Sequence, residues 1–122
     1  MLFVKSEEDC PEFTAGDLTL LRELIHPAND PIEINYSLAK GRLGPGESSL
    51  PHKLASTEVF YVLAGVGKAV VDRNVIDIAQ GSVIFIPANT DQYLINEGKE
   101  FLEFICIVEP YWKLSDENVA KN

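Results

Sequence analysis

The chain has 122 residues, 46% of them apolar and 24% charged, and a formal net charge of −9. That length buries a core without disulfide help and the balance excludes wholesale disorder. The acidic surplus and the ten scattered Lys and Arg speak against a nucleic-acid surface, which needs clustered bases against phosphate.

The N-terminal run MLFVKSEEDCPEF meets acids within a few residues and has no long apolar core, so it is not read as a signal peptide. No apolar stretch approaches the roughly 20 residues that a spanning helix needs. The expectation is a cytoplasmic protein with no membrane partner. Residues 18–25 (LTLLRELI) fit a strand or a short helix. Residues 32–43 (IEINYSLAKGRL) alternate, are rich in β-branched and aromatic side chains, and stop at Gly44-Pro45-Gly46. TEVFYVLAG, GKAVVD, NVIDIA, SVIFIP, QYLIN and FLEFICIV follow, each short and bounded by Gly, Pro, Asn or Asp. Such spacing predicts an all-β antiparallel sandwich or barrel rather than alternating βαβ units. Residues 70–77 (VVDRNVID) read as a hairpin with Arg73 and Asn74 near its tip. The tail KLSDENVAKN reads as helical or frayed. With no repeat, low-complexity tract or linker, residues 1–122 are read as a single domain.

Chemistry concentrates in GESSLPHKLASTEVFYVLAG, residues 46–65. If its second half is a strand, Glu58, Phe60 and Val62 share one face, and Val59, Tyr61 and Leu63 the other. A carboxylate beside Phe60 and Val62 points into an apolar interior, where an unpartnered charge costs several kcal/mol. Glu58 therefore implies a cation or a hydrogen-bond donor, and His52 is the nearest candidate in sequence.

The same segment resembles the first conserved motif of the cupin superfamily: Gly46, His52, Leu54, Glu58 and Gly65 keep its spacing, with Leu54 in place of a second His. GSVIFIPANTDQYLIN resembles the second motif through Gly81, Pro87 and Asn96, with Asn89 in place of Gly and Gln92 in place of His. The resemblance implies a cupin-type antiparallel jelly-roll β-barrel, with motif one at 46–65 and motif two at 81–96. It also implies a homodimer, often formed by exchange of an N-terminal strand. Metal-binding cupins hold Zn, Mn, Fe, Ni or a similar ion on the motif His and Glu residues. Carried over, that set becomes His52, Glu58 and Gln92, with Leu54 donating nothing and the Gln92 amide a weaker ligand than imidazole.

Three readings stay open. His52, Glu58 and Gln92 hold one divalent ion beside an open position. Alternatively, Gln92 and His52 donate to Glu58, closing a metal-free network at the polar end of a small-molecule pocket walled by Leu54, Phe60 and Val62. In the third, the barrel is filled by its own side chains. The function expected is a small-molecule-binding cupin. Alternatives are a metal-dependent isomerase, decarboxylase or dioxygenase acting on a small sugar or carboxylate, and a non-catalytic sensor or storage barrel.

Other residues have plainer roles. Cys10 and Cys106 lack C-x-x-C spacing, and Cys106 in FLEFICIV reads as a small buried hydrophobe. His26, just before Pro27, reads as a turn residue. Tyr61 and Tyr93 face outward by alternation, towards a subunit interface or a second layer. Trp112 follows the strand break at Pro110 and reads as an anchor over a barrel end or against a partner. GVGKAV lacks the P-loop spacing and reads as strand.

Overall fold

The computed structural model describes residues 1–119, all in short strands, 3-10 turns and loops. In chain order the strands are β1 (Phe13–Thr14), β2 (Leu20–Ile25), β3 (Ser37–Leu43), β4 (His52–Leu54), β5 (Thr57–Ala64) and β6 (Val66–Val71). Then come β7 (Asn74–Ala79), β8 (Val83–Ile86), β9 (Gln92–Asn96), β10 (Leu102–Glu109) and β11 (Glu117–Val119). They form two antiparallel sheets, ordered β1-β2-β3-β10-β5-β8 and β11-β4-β9-β6-β7. This is the all-β antiparallel barrel that the spacing of turn residues predicts, in the jelly-roll form that the motif resemblance implies.

Period-two alternation puts the two inner faces together. On β5, Glu58, Phe60 and Val62 are buried and Tyr61 is exposed; on β10, Leu102, Phe104, Cys106 and Val108 are buried. Register sets these against one another: Glu58 lies beside Val108 and Ile86, and Phe60 beside Cys106 and Ile84. Phe60 and Phe104 meet edge to face at 5.3 Å. With Leu43, Ala69, Ile78, Leu94 and Leu102 they build one apolar cluster, in which each large side chain contributes about 1.5–3 kcal/mol by burial.

The motif turns rest on backbone geometry. Gly65 joins β5 to β6 at φ +93°, where an added Cβ would sit 2.7 Å from the Phe101 carbonyl oxygen. Asn89 stands at φ 59°, in the left-handed region that Asn tolerates better than other side-chain-bearing residues. The departure from glycine at this position thus preserves the conformation the turn needs.

The structure settles one reading that the sequence left open and departs from expectation in two places. Residues 20–25 are strand, not helix, because β2 pairs with β3 along its length. The 70–77 hairpin turns at Asp72 and Arg73, and the left-handed residue is Asp72 at φ 54°, while Asn74 already pairs with Val71. The tail is neither helical nor frayed as far as Val119: after a 3-10 turn at Leu114–Asp116, β11 pairs with β4. The rest of that tail lies outside the described residues. Among the described residues no helix is long and apolar enough to cross a membrane.

Candidate ligand pocket

Glu58 and Gln92 come from opposite sheets. Gln92 Nε2 donates to Glu58 Oε1 at 3.0 Å, a hydrogen bond that spans the interior. Glu58 is 6% exposed. Burial is the main reason its carboxyl is pushed up to about 8; Asp17 and Glu117 add like-charge repulsion, and the Gln92 bond only partly offsets them. At neutral pH this side chain is mostly a carboxylic acid, not a carboxylate.

His52 stands beside Gln92 across β4 and β9, but it does not close the network as expected. Its Nδ1 lies 2.9 Å from the Leu50 carbonyl and 3.6 Å from Asp17 Oδ2. A carbonyl only accepts, so Nδ1 carries the hydrogen. The strand start at His52 aims the ring back over its own preceding turn, so its Nδ1 hydrogen goes to Leu50 rather than to Glu58.

These groups border a cavity lined on its apolar side by Leu54, Phe60, Leu94, Phe104 and Val108. The cavity volume is about 70 Å³, room for on the order of five waters. An occupant there is small, or inserts only a small part of itself. Of the expected walls, Leu54 and Phe60 line the cavity. Val62 does not: it is packed into the apolar cluster one pleat deeper. Gln92 does not line it either and acts from behind Glu58.

The polar lining holds Asp17, Thr19, Glu23 and Glu117, which the sequence reading leaves unmarked, together with Trp112, expected as an anchor over a barrel end. Asp17 sits in a loop before β2, while Trp112 and Glu117 come from the tail, with Trp112 Nε1 donating to Glu117 Oε2 at 3.1 Å. Asp17, Thr19 and Glu23 follow period two into and along β2 with Leu21, whereas Glu117 arrives only through the β11–β4 pairing. Cys106 also lines the cavity. Burial, with Glu58 nearby, pushes its thiol well up, so it stays protonated and is a poor nucleophile. His26 is a structural residue: Nε2 donates to the Trp112 carbonyl at 2.7 Å and Nδ1 accepts from the Ala28 amide at 3.0 Å.

The donors do not fit a divalent metal ion. Gln92 presents its amide N–H to Glu58 Oε1 and so offers no ligand atom there, which leaves only His52 Nε2 and the second Glu58 oxygen of the expected set. Leu54 fills the place of a further imidazole. Among the described residues no cluster of three or more His, Cys, Asp or Glu side chains is arranged to hold an ion.

Fold and pocket together define a barrel that encloses a small site between two sheets. Residues 40–108 match the family model described as Cupin domain, and the chain belongs to the cupin family. It is 30% identical over 99% of its length to an uncharacterized protein, MJ1618, of Methanocaldococcus jannaschii, covering 98% of that protein. Among solved structures, the polyketide cyclase RemF of Streptomyces resistomycificus is similar in fold, with a TM-score of 0.81 at 17% identity, covering 100% of this chain and 87% of that one. Streptomyces Pac13 with uridine, a nucleoside dehydratase, gives a TM-score of 0.80 at 15% identity, covering 99% and 92%.

Proposed function

We propose that this cupin binds a small organic molecule inside its barrel and presents Glu58 to it as a neutral carboxylic acid. The observation that supports this is the state of Glu58: buried, facing a cavity, and given a single amide donor where a structural carboxylate would have several. Leu54 in place of an imidazole gives the site an apolar wall. If a reaction follows binding, it is proton transfer at Glu58, whose value of about 8 keeps it close to neutral pH, as a general acid or base requires.

A ligand-observed NMR screen of small neutral, cationic and anionic compounds tests this. Hits on the wild type should vanish in Leu54→Trp, which fills the cavity, and weaken in the milder Leu54→Phe, with circular dichroism melts confirming folding. Hits that survive both substitutions in folded protein would place binding elsewhere. A stoichiometric ion in protein purified without chelator, lost in His52→Ala, would replace this reading with the metal-centre one.

We also propose that a second copy pairs with β8. This edge strand exposes Val83 and Phe85, at 67% and 61%, beside outward Tyr61 and Ile107. Two-fold symmetry sets a strand antiparallel to its own copy, so an open edge with an apolar face is self-complementary. Light scattering should give a dimer that Phe85→Glu turns into a monomer; a monomeric wild type at high concentration would end the proposal.

A further inference from the structure

We infer that the molecule held in this cavity is an organic cation: a protonated amine whose ammonium head enters the barrel while an apolar tail points outward. This rests on the binding role proposed above and narrows its chemistry. Four carboxyl groups line the cavity, from Asp17, Glu23, Glu58 and Glu117, and no Lys or Arg does. Several basic residues are paired elsewhere: Lys5 with Asp30, Lys40 with Glu7, Arg42 with Glu12, and Lys68 with Asp77. The acidic groups repel an anion entering this space, whereas a cation offsets the negative charge that Asp17 and Glu117 set beside Glu58.

Two largely buried residues on the cavity wall each keep one polar atom that is open to the cavity space and makes no hydrogen bond within the described residues. Thr19 is 4% exposed and its hydroxyl has no hydrogen-bond partner among the described residues. His52 is 7% exposed, and its Nε2 likewise has none among them. Both sit where an ammonium with three N–H donors could use an acceptor.

The approach to the cavity supplies the tail's surroundings. A second depression shares Leu21, Glu23, Trp112 and Glu117 with the cavity and adds Phe13 and Leu114. The Trp112–Glu117 hydrogen bond therefore stands at the join, an indole face and a carboxylate side by side. Acids within and apolar or aromatic groups outside match a short alkyl or aryl amine, and an indole attracts a passing cation. A charged depression over β2, β3 and β10 is different in kind: its Glu7 and Glu12 are already paired with Lys40 and Arg42.

Three probes of equal skeleton isolate charge: n-butylammonium, 1-butanol and butyrate, each titrated into the full-length protein and followed by backbone amide NMR. The ammonium should bind about tenfold or more tightly than the alcohol, a modest gain for nearby unit charges, with shifts at Leu94, Phe104 and Cys106, and butyrate should not bind. Added salt should weaken the ammonium selectively. Asp17→Asn with Glu117→Gln keeps the acceptors for the Thr19 amide and the Trp112 indole, yet should bring the ammonium down to the alcohol's affinity. Butyrate binding as well as the ammonium, or a double variant that keeps the preference, overturns the inference. Alcohol binding without ammonium binding overturns it while leaving the pocket reading intact; silence from all three probes and from the broad screen overturns both.

Discussion

Gln92 and Asn96 leave β9 on the same face, four residues apart, yet they serve opposite kinds of site. Asn96 is 1% exposed and completely used: Nδ2 donates to the Leu43, Gly44 and Glu100 carbonyls at 3.0, 3.0 and 2.8 Å, and Oδ1 accepts from the Gly98 amide at 2.9 Å. It ties the loops after β3 and β9 to one point. Gln92 instead offers one donor to a carboxyl group that needs more, beside open space. A satisfied polar group holds a structure together, whereas an acid left short of partners is costly to keep and marks a place where chemistry is expected. The contrast makes quantitative predictions.

The largest effect should come from the satisfied end. Asn96→Leu keeps the volume but leaves three backbone carbonyls and one amide unpaired in the interior, each a loss of about 1–3 kcal/mol if water cannot reach it. Partial relaxation brings the expected destabilisation to about 4 kcal/mol, measured by urea unfolding. A loss below about 1 kcal/mol would mean that the loops, not Asn96, hold this end closed.

Glu58→Gln should act in the opposite direction. It retains an acceptor for Gln92 and removes the ionisation that burial opposes, so stability at pH 7.5 should rise by about 2 kcal/mol, while ligand binding weakens. The pH dependence has a definite sign. Below its ordinary value of 4.5 Glu58 is protonated folded and unfolded, and contributes no slope. Between 4.5 and about 8 the unfolded chain releases its proton while the folded one keeps it, so this contribution to stability falls as pH rises. Above about 8 it levels. Glu12 and Asp30, whose carboxyls are lowered, Glu12 by the Arg42 guanidinium and Asp30 by Lys5 with the His26 amide, act oppositely: stability from them is lost as pH falls below the ordinary carboxyl range. The difference between wild type and Glu58→Gln should therefore grow from pH 4.5 to 8. A difference that is flat across that window would show Glu58 to be well solvated.

How much of this was legible in the sequence follows from how far each contact reaches. Alternation is local, so the inward set Glu58, Phe60 and Val62 and the outward Tyr61 could be read directly. Motif spacing is ordered along the chain, so the barrel and the juxtaposition of Glu58 with Gln92 could be expected from resemblance. The direction of the His52 ring could not, because it depends on the Leu50 carbonyl in an irregular segment. The place of Asp17 and Glu117 at the cavity was hidden for a related reason. A three-residue strand such as β11 has too little periodicity to be seen, and it forms because β4 offers it an edge. With it hidden, the acidic character of the cavity was hidden too, and a small carboxylate ranked among the expected substrates.

The smallest effect separates two departures within one motif. Gln92 replaces an imidazole, which changes what the site can bind, whereas Asn89 replaces a glycine, which changes only a turn. At φ 59° glycine is unstrained but pays more entropy on folding than Asn, so Asn89→Gly should shift stability by no more than about 0.5 kcal/mol. Asn89→Ala brings a Cβ without the local polar interactions of Asn and should cost about 1 kcal/mol. Neither should alter ligand affinity, since Asn89 does not line the cavity and its amide donates to the Leu54 carbonyl through the backbone. Thermal melts read the first pair of numbers and titration the last. If Asn89→Gly changes binding, the turn positions Leu54 at the pocket wall, and the motif's two departures have to be counted as one.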